Sequence, residues 1–242
     1  MSIETLERDK LIFDPPGPDC VLYLPGLPGG GGYLFDRSHH NNICAITGAA
    51  WERTQGGLWT TRYDGTDDWL CIDSVLNDLA ATTKGTWMGW FKLDDATPAS
   101  TTRLISFGDT NANEILAIHI GETGNFSFFA VKAGVAQSVG GTTAAALANG
   151  AWGHLAVIQD GTAPALLVNG VEVAQTFSVQ ADETVWFGDL AGLDNGRIGC
   201  KLYNSAAATN FITNGNTAMV KIFNTSLAVA AVLNDHYNID LH

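Results

Sequence analysis

Positive charge is scarce in this sequence: its 242 residues hold 12 lysines and arginines against 25 aspartates and glutamates, a formal net charge of −13. Such a surface repels phosphate backbones and offers no basic patch to anionic lipid, so no nucleic-acid partner is expected. Long apolar runs are missing too. Nothing approaches the roughly 18 consecutive apolar residues of a membrane span, and no membrane insertion is expected. Cysteine is sparse and scattered: Cys20, Cys44, Cys71 and Cys200 form no Cys-x-x-Cys pair, which argues against a zinc knuckle or thioredoxin-type site. Reduced thiols buried in strands are the expectation. The opening stretch MSIETLERDKLIF has neither the apolar core nor the small-residue cleavage site of a secretory signal, so the protein is expected to be made in a cytoplasm and to stay there unless it leaves inside or upon an assembled particle.

What is present is apolar and turn-rich. Hydrophobic residues make up 46% of the chain and charged ones 15%, with 27 glycines, a composition that suits one compact β domain. Residues 1–19 stand apart: SIETLERDK is charged, and DPPGPD carries three prolines in six residues, which reads as an N-terminal arm with a stiff linker ahead of a domain spanning 20–242. Short strand-like runs follow, among them VLYL (21–24), YLF (33–35), RLISFGD, EILAIHIG, NFSFFAVKAG, VWFGDL and MVKIFN. The run from Trp87 to Asp94 is apolar on both faces, as a central strand of a sandwich is. Asn169-Gly170, between two β-branched runs, predicts a two-residue type I′ hairpin, a turn that requires positive φ at both central residues. A single short helix is expected near the end, capped by Ser226, with Ala230, Leu233 and Tyr237 on one face. The fold class is therefore all-β: a two-sheet antiparallel jelly-roll sandwich with an extended N-terminal arm and one short C-terminal helix.

Several of these segments, in order, resemble the laminin-G-like jelly roll of the concanavalin A-like lectin and glucanase superfamily. VLYLPGL matches the first strand, DRSHHNN with ITGAAW the next element, and RYDGTDDWLCI the Asp-Gly-x-Asp-Asp-aromatic bend. TWMGWFKLDD follows, then AWGHLAVIQDGTAPALLVNGVEVA for the Trp-x-His strand and its hairpin, and AMVKIFNTSLAVAAVLNDHYN for the last strand and helix. One departure is notable. The usual Asp-x-Ser-Gly-Asn-Gly-Asn turn stands here as Asp36-Arg37-Ser38-His39-His40-Asn41-Asn42, with both glycines replaced.

The acidic bend raises the question of a cation. An EF-hand loop starting at Asp64 would need a bidentate glutamate at its twelfth position, and that residue is Val75. The resemblance implies a different arrangement, in which loop carboxylates gather Ca²⁺, with Asp36, Asp64 and Asp67 as donors. The alternative is a plain turn, since Asp-Gly bends the chain and aspartate bonds its own backbone. Asp189, Asp194 and Asn195 form a second, weaker loop of this kind. His39, His40 and Cys44 lack a fourth ligand for zinc, and His154 reads as a hydrogen-bonded histidine within a strand.

Glucanases of the superfamily place an acid and a nucleophile on one strand as Glu-x-Asp-x-x-Glu, a spacing this chain lacks. Asp67 and Asp68 are adjacent, so in an extended strand they would face opposite ways. No catalytic residue is assigned. The seven tryptophans include four read as strand core, Trp87, Trp90, Trp152 and Trp186, whereas Trp51 and Trp59 flank the polar stretch ERTQGG and are the expected sugar-stacking platforms. The reading is a non-enzymatic adhesive or structural surface protein, a phage-like virion component such as a capsid decoration or tail knob. Its arm would dock on a capsid or tail protein, the knob being displayed on the virion surface, where it can meet glycans; such knobs often form homo-oligomers. A free carbohydrate-binding module is the rival, and a glycan hydrolase the third reading.

Overall fold

The alternation of apolar and polar residues along short runs separated by glycine turns resolves into two stacked antiparallel sheets. The structure is a computed structural model that describes residues 16–25, 31–204, 211–212 and 214–237. Most of the arm and linker expected at 1–19, and the middle of the run PGLPGGGG, lie outside the described residues.

Sheet I orders β14 (Val171–Glu172), β13 (Pro164–Val168), β12 (Trp152–Gln159), β7 (Gly85–Leu93), β17 (Gly215–Phe223), β5 (Trp59–Tyr63) and β4 (Ala50–Arg53). β1 (Cys20–Leu24) also pairs with β17, along Val220–Phe223, while β5 takes Gly215–Thr217. A bulge between Ala218 and Lys221, where Met219 has φ 51°, separates the two docking stretches. Sheet II orders β15 (Gln175–Gln180), β11 (Val135–Ala145), β10 (Asn125–Lys132), β9 (Ile115–Ile120), β8 (Thr102–Gly108), β16 (Asn195–Ile198), β6 (Trp69–Cys71), β3 (Ile43–Thr47) and β2 (Tyr33–Phe35). A short helix α1 (Leu76–Leu79) follows β6, and α2 (Val229–Tyr237) ends the described chain.

The core lies between the sheets, where Trp87, Phe107, Phe128, Trp186 and Phe187 pack ring against ring, Trp87 and Trp186 at 4.9 Å between centroids. As expected, β7 is buried on both faces. Trp87, Phe91 and Leu93 enter this core, while Met88 and Trp90 enter a second cluster on the outer face of sheet I, together with Tyr23, Ala156, Leu167 and Val232 of α2. The hairpin after β13 is also as expected: Asn169 and Gly170 have φ 51° and 75° between the paired Val168 and Val171.

Two expectations are corrected. VWFGDL is not a strand. Phe187–Asp189 form a 3₁₀ turn, closed by the Asp189 carboxylate accepting from Trp186 N at 3.1 Å. The helix begins at Val229 rather than next to Ser226, and its buried residue is Val232 instead of Ala230, because Asp235 is drawn toward the sheet by His154 and Lys221 and His236 stacks on Trp90.

One of the two departures in the 36–42 turn, Asn41, has a local explanation. Asn41 adopts φ 53°, the left-handed conformation that asparagine tolerates best after glycine. All four cysteines are free; Cys20, Cys44 and Cys200 are buried, which raises their thiols, Cys20 and Cys200 to about 12.

Candidate functional site

On the outer face of sheet I the strand register aligns Arg62 of β5, Asn216 of β17, Lys92 of β7 and Trp152 of β12 as successive cross-strand neighbours. Asn216, Lys92 and Trp152 of this row, together with Glu52, Arg53, Thr60 and the Gly150–Ala151 turn, line a groove of about 460 Å³, behind which Arg62 stands. Its polar floor is bonded in advance. Asn216 Nδ2 donates to Glu52 Oε2 at 2.8 Å and to Thr60 Oγ1 at 3.2 Å, while Arg62 Nη1 donates to Asn216 Oδ1 at 3.2 Å. Arg62 is itself held by a two-point pair with Asp94, at 3.0 and 2.7 Å, which raises the guanidinium and lowers the carboxyl. Lys92 has no ion-pair partner among the described residues. Trp152 is half-buried, rooted in the outer-face cluster, and walls one end of the groove. An indole wall beside oriented donors and acceptors suits the apolar C–H face and the hydroxyl rim of a sugar ring.

Trp51 and Trp59, the tryptophans expected to stack sugar, do not line this groove. Trp51 packs against the core and donates from Nε1 to Gly31 O at 3.2 Å; Trp59 is half-buried with the Arg53 guanidinium 5.9 Å from its ring centroid. The tryptophan that lines it is Trp152, a residue whose strand position had suggested core and which does pack in part against the outer-face cluster. The signal was available in part: Trp152 opens its strand, so it sits at the sheet's rim rather than its middle.

The acidic bend does gather carboxylates, with a change of membership. Oxygens of Asp64, Asp67 and Asp68 all lie within 4.8 Å of one another. Asp64 and Asp67 are exposed, and Asp68 is buried beside Gly48, where any Cβ would fall 1.9 Å from Asp68 Oδ1. Burial, with Asp64 and Asp67 as neighbours, raises Asp68 in spite of the hydrogen bond from Asp64 N. Asp36 stands outside this cluster. Its carboxylate accepts from Tyr23 N, Ser38 N, Ser38 Oγ, Asn42 N and Asn42 Nδ2 at 2.6–3.0 Å, tying β1 to the 36–42 turn. Five donors saturate it, so it is a structural anchor and not a free ligand. Asp194 and Asn195 staple the 109–112 turn through Thr110 and Gly108 O, and Asp189 closes its 3₁₀ turn. His40 pairs with Asp78 at 2.9 Å, apart from buried Cys44.

His154 is fully buried under α2, its Nε2 3.5 Å from Asp235 Oδ2, and Asp235 also pairs with Lys221. Lys221 lies 4.8 Å from the centroid of the Tyr23 ring. Burial pushes the Asp235 carboxyl up, but His154 and Lys221 together outweigh this and hold it below the usual range. The trio pins the helix to the sheet.

A laminin-G-type family model, described as concanavalin A-like lectin/glucanases superfamily, matches residues 64–232. No curated protein matches the chain. Among solved structures, the CBM40 of a Ruminococcus gnavus IT-sialidase, bound to α2,3-sialyllactose, is similar over 79% of this chain and 97% of that one, at 15% identity and TM-score 0.56. The NanB sialidase of Streptococcus pneumoniae matches over 71% of this chain at 19% identity and TM-score 0.59, and Trypanosoma rangeli sialidase over 96% at 11% identity and TM-score 0.64. The chain spans 27% of the NanB sialidase and 37% of the trypanosomal one. At these identities the likeness is one of fold.

Proposed function

Because this chain belongs to the concanavalin A-like lectin/glucanases superfamily, we propose that it is a non-enzymatic, lectin-like module that binds surface glycans in the groove of sheet I. The observation that carries the reading is Asn216, held in place by Arg62, Glu52 and Thr60, beside Lys92 and the Trp152 wall. Oriented donors and acceptors spend little entropy on meeting sugar hydroxyls, and the indole supplies the apolar contact. Glycoside hydrolysis needs two carboxyls flanking one bond, about 5–9.5 Å apart. Among the described residues Glu52 is the one carboxylate that lines the groove, and it is engaged by Asn216, which favours binding over turnover.

A glycan array that includes α2,3-sialyllactose, the ligand in the CBM40 complex, tests the site. Wild-type protein is expected to retain a subset of glycans and Trp152→Ala to lose about tenfold or more in affinity, the value of one stacked aromatic. Equal binding by both would remove the groove from the reading.

A calcium ion at Asp64, Asp67 and Asp68 belongs to the same reading. Calcium binds oxygens at about 2.3–2.6 Å, and the carboxylate oxygens of these residues all lie within 4.8 Å of one another, close enough to share one ion. The loop follows β5 directly, so a bound ion would brace the strand that carries Arg62.

The setting we propose is a phage-like particle, with residues 1–19 docking the module on a capsid or tail protein and the jelly roll displayed. The charged, proline-bounded composition of that segment supports it. On a density gradient of natural lysate the protein is expected to sediment with large particles; recovery among soluble proteins would make it a free module instead.

A further inference from the structure

Among the described residues, sheet II ends on an uncovered edge: β2 is its last strand and pairs only with β3. Ile46 N donates to Gly32 O at 2.8 Å and Asp36 N to Asn42 O at 3.1 Å, so residues 32, 34 and 36 turn their backbone groups toward β3. The amides of the alternate residues, Tyr33 and Phe35, therefore point to the free edge. The same two residues carry exposed rings, 47% and 43% accessible, and Ile43, directly opposite Phe35, is 61% exposed. Proteins ordinarily cover or charge an edge of free amides beside an apolar patch. No charged residue or proline within β2 or β3 blocks this one.

The chain enters the fold next to the patch. Val21 O accepts from Ser38 Oγ at 3.3 Å and from Asn42 Nδ2 at 2.9 Å, and Arg37 N donates to Tyr23 O at 2.8 Å, so β1 begins against the 36–42 turn that joins β2 to β3. Phe35 and Ile43 flank that turn. The sequence ahead of β1 holds one run of three apolar residues, Leu11-Ile12-Phe13, between Lys10 and Asp14. Phe13 precedes Val21 by eight positions, which in extended chain reach up to about 26–29 Å, enough to bring the run to the neighbouring edge. Prolines at 15, 16 and 18 favour an extended connection.

We propose that Leu11–Phe13 add to β2 as a further strand of sheet II, an intramolecular latch that bonds the free amides of Tyr33 and Phe35. Side chains alternate along a strand, so Leu11 and Phe13 share a face and cover Tyr33, Phe35 and Ile43. A second copy fits the edge less well: three exposed side chains on a three-residue edge strand fall short of the roughly 800 Å² per partner that a stable association buries, and chains of net charge −13 repel. The latch is independent of the particle setting; a partner docking on residues 1–19 would have to lift it.

Amide exchange of the full chain, followed by mass spectrometry, tests this. With Leu11→Asp and Phe13→Asp together, the peptide holding Tyr33–Phe35 is expected to exchange about tenfold or more faster than in wild type, the Gly85–Leu93 strand being unchanged. Phe35→Asp should speed exchange at Leu11–Phe13 by a similar factor, a reciprocal effect that separates contact between the two segments from a local change at either. Equal exchange at residues 33–35 in wild type and the Leu11/Phe13 variant would overturn the proposal. Protection that disappears on dilution, with a dimer seen in sedimentation, would assign the edge to a second copy and overturn it as well.

Discussion

Alanine at Asp235 is expected to destabilise the protein by about 3–5 kcal/mol, the range for removing one partner of a buried ion pair. Lys221 and His154 would remain beneath α2 with no carboxylate to face, Lys221 side chain at 11% exposure and His154 at 0%. Nine residues are too few for a helix to stand alone in water. Among the contacts that hold α2 are Val232 in the outer-face cluster, the Asp235 pairs, and His236 stacked on Trp90 at 5.1 Å. Losing the second should loosen the whole element and expose Met88 and Trp90. Urea denaturation of wild type and Asp235→Ala measures the difference; a loss under about 1 kcal/mol would show the pair to be as weak as an exposed one. Replacing both charges, Lys221→Met with Asp235→Leu, should recover most of the loss, since an apolar pair of similar volume removes the desolvation cost as well. Acid should act in the same direction. The Asp235 carboxyl is lower in the folded state than in the unfolded one, so its contribution is complete above about pH 4 and is lost as pH falls through the folded value.

Calcium is expected to produce the second largest effect. A ligand that binds only the folded state, at a hundred times its Kd, stabilises by about 2.7 kcal/mol, on the order of 5–10 °C in melting temperature for a chain of this size. The gain comes from three carboxylates that repel one another when the ion is absent, Asp68 already raised by burial and by its neighbours. Asp67→Asn should abolish the calcium-dependent shift and, by relieving repulsion, leave the calcium-free protein as stable or more so. Thermal melts with calcium and with chelator decide it. Identical melts for the wild type would reduce the RYDGTDDWL bend to a turn, stabilised by Thr66 N donating to Asp64 and Asp64 N to Asp68.

Local chemistry made much of the sandwich legible before any coordinates. Asn169-Gly170 specified its own turn because few residues accept positive φ, and the two-faced apolar run at Trp87–Leu93 could only be a strand covered on both sides. Local chemistry also misled. VWFGDL has the aromatic and β-branched content of a strand, yet Asp189 reaches back to Trp186 N and closes a turn. Trp152, read as strand core, is half-buried at the start of its strand and lines the groove of sheet I, which Trp51 and Trp59 do not.

Sequence by itself determined the class of this protein: strand periodicity, positive-φ turns and the ordered family motifs depend on residues within a few positions of one another. Its sites were decided by tertiary structure. Arg62, Lys92, Trp152 and Asn216 become neighbours only through the pairing of β5, β17, β7 and β12, and the register there depends on a bulge at Met219. A slip of one residue would turn each side chain to the opposite face of its sheet. Such pairings join segments far apart in the chain, and what selects among them is the burial of whole faces, a quantity that no short stretch of sequence contains.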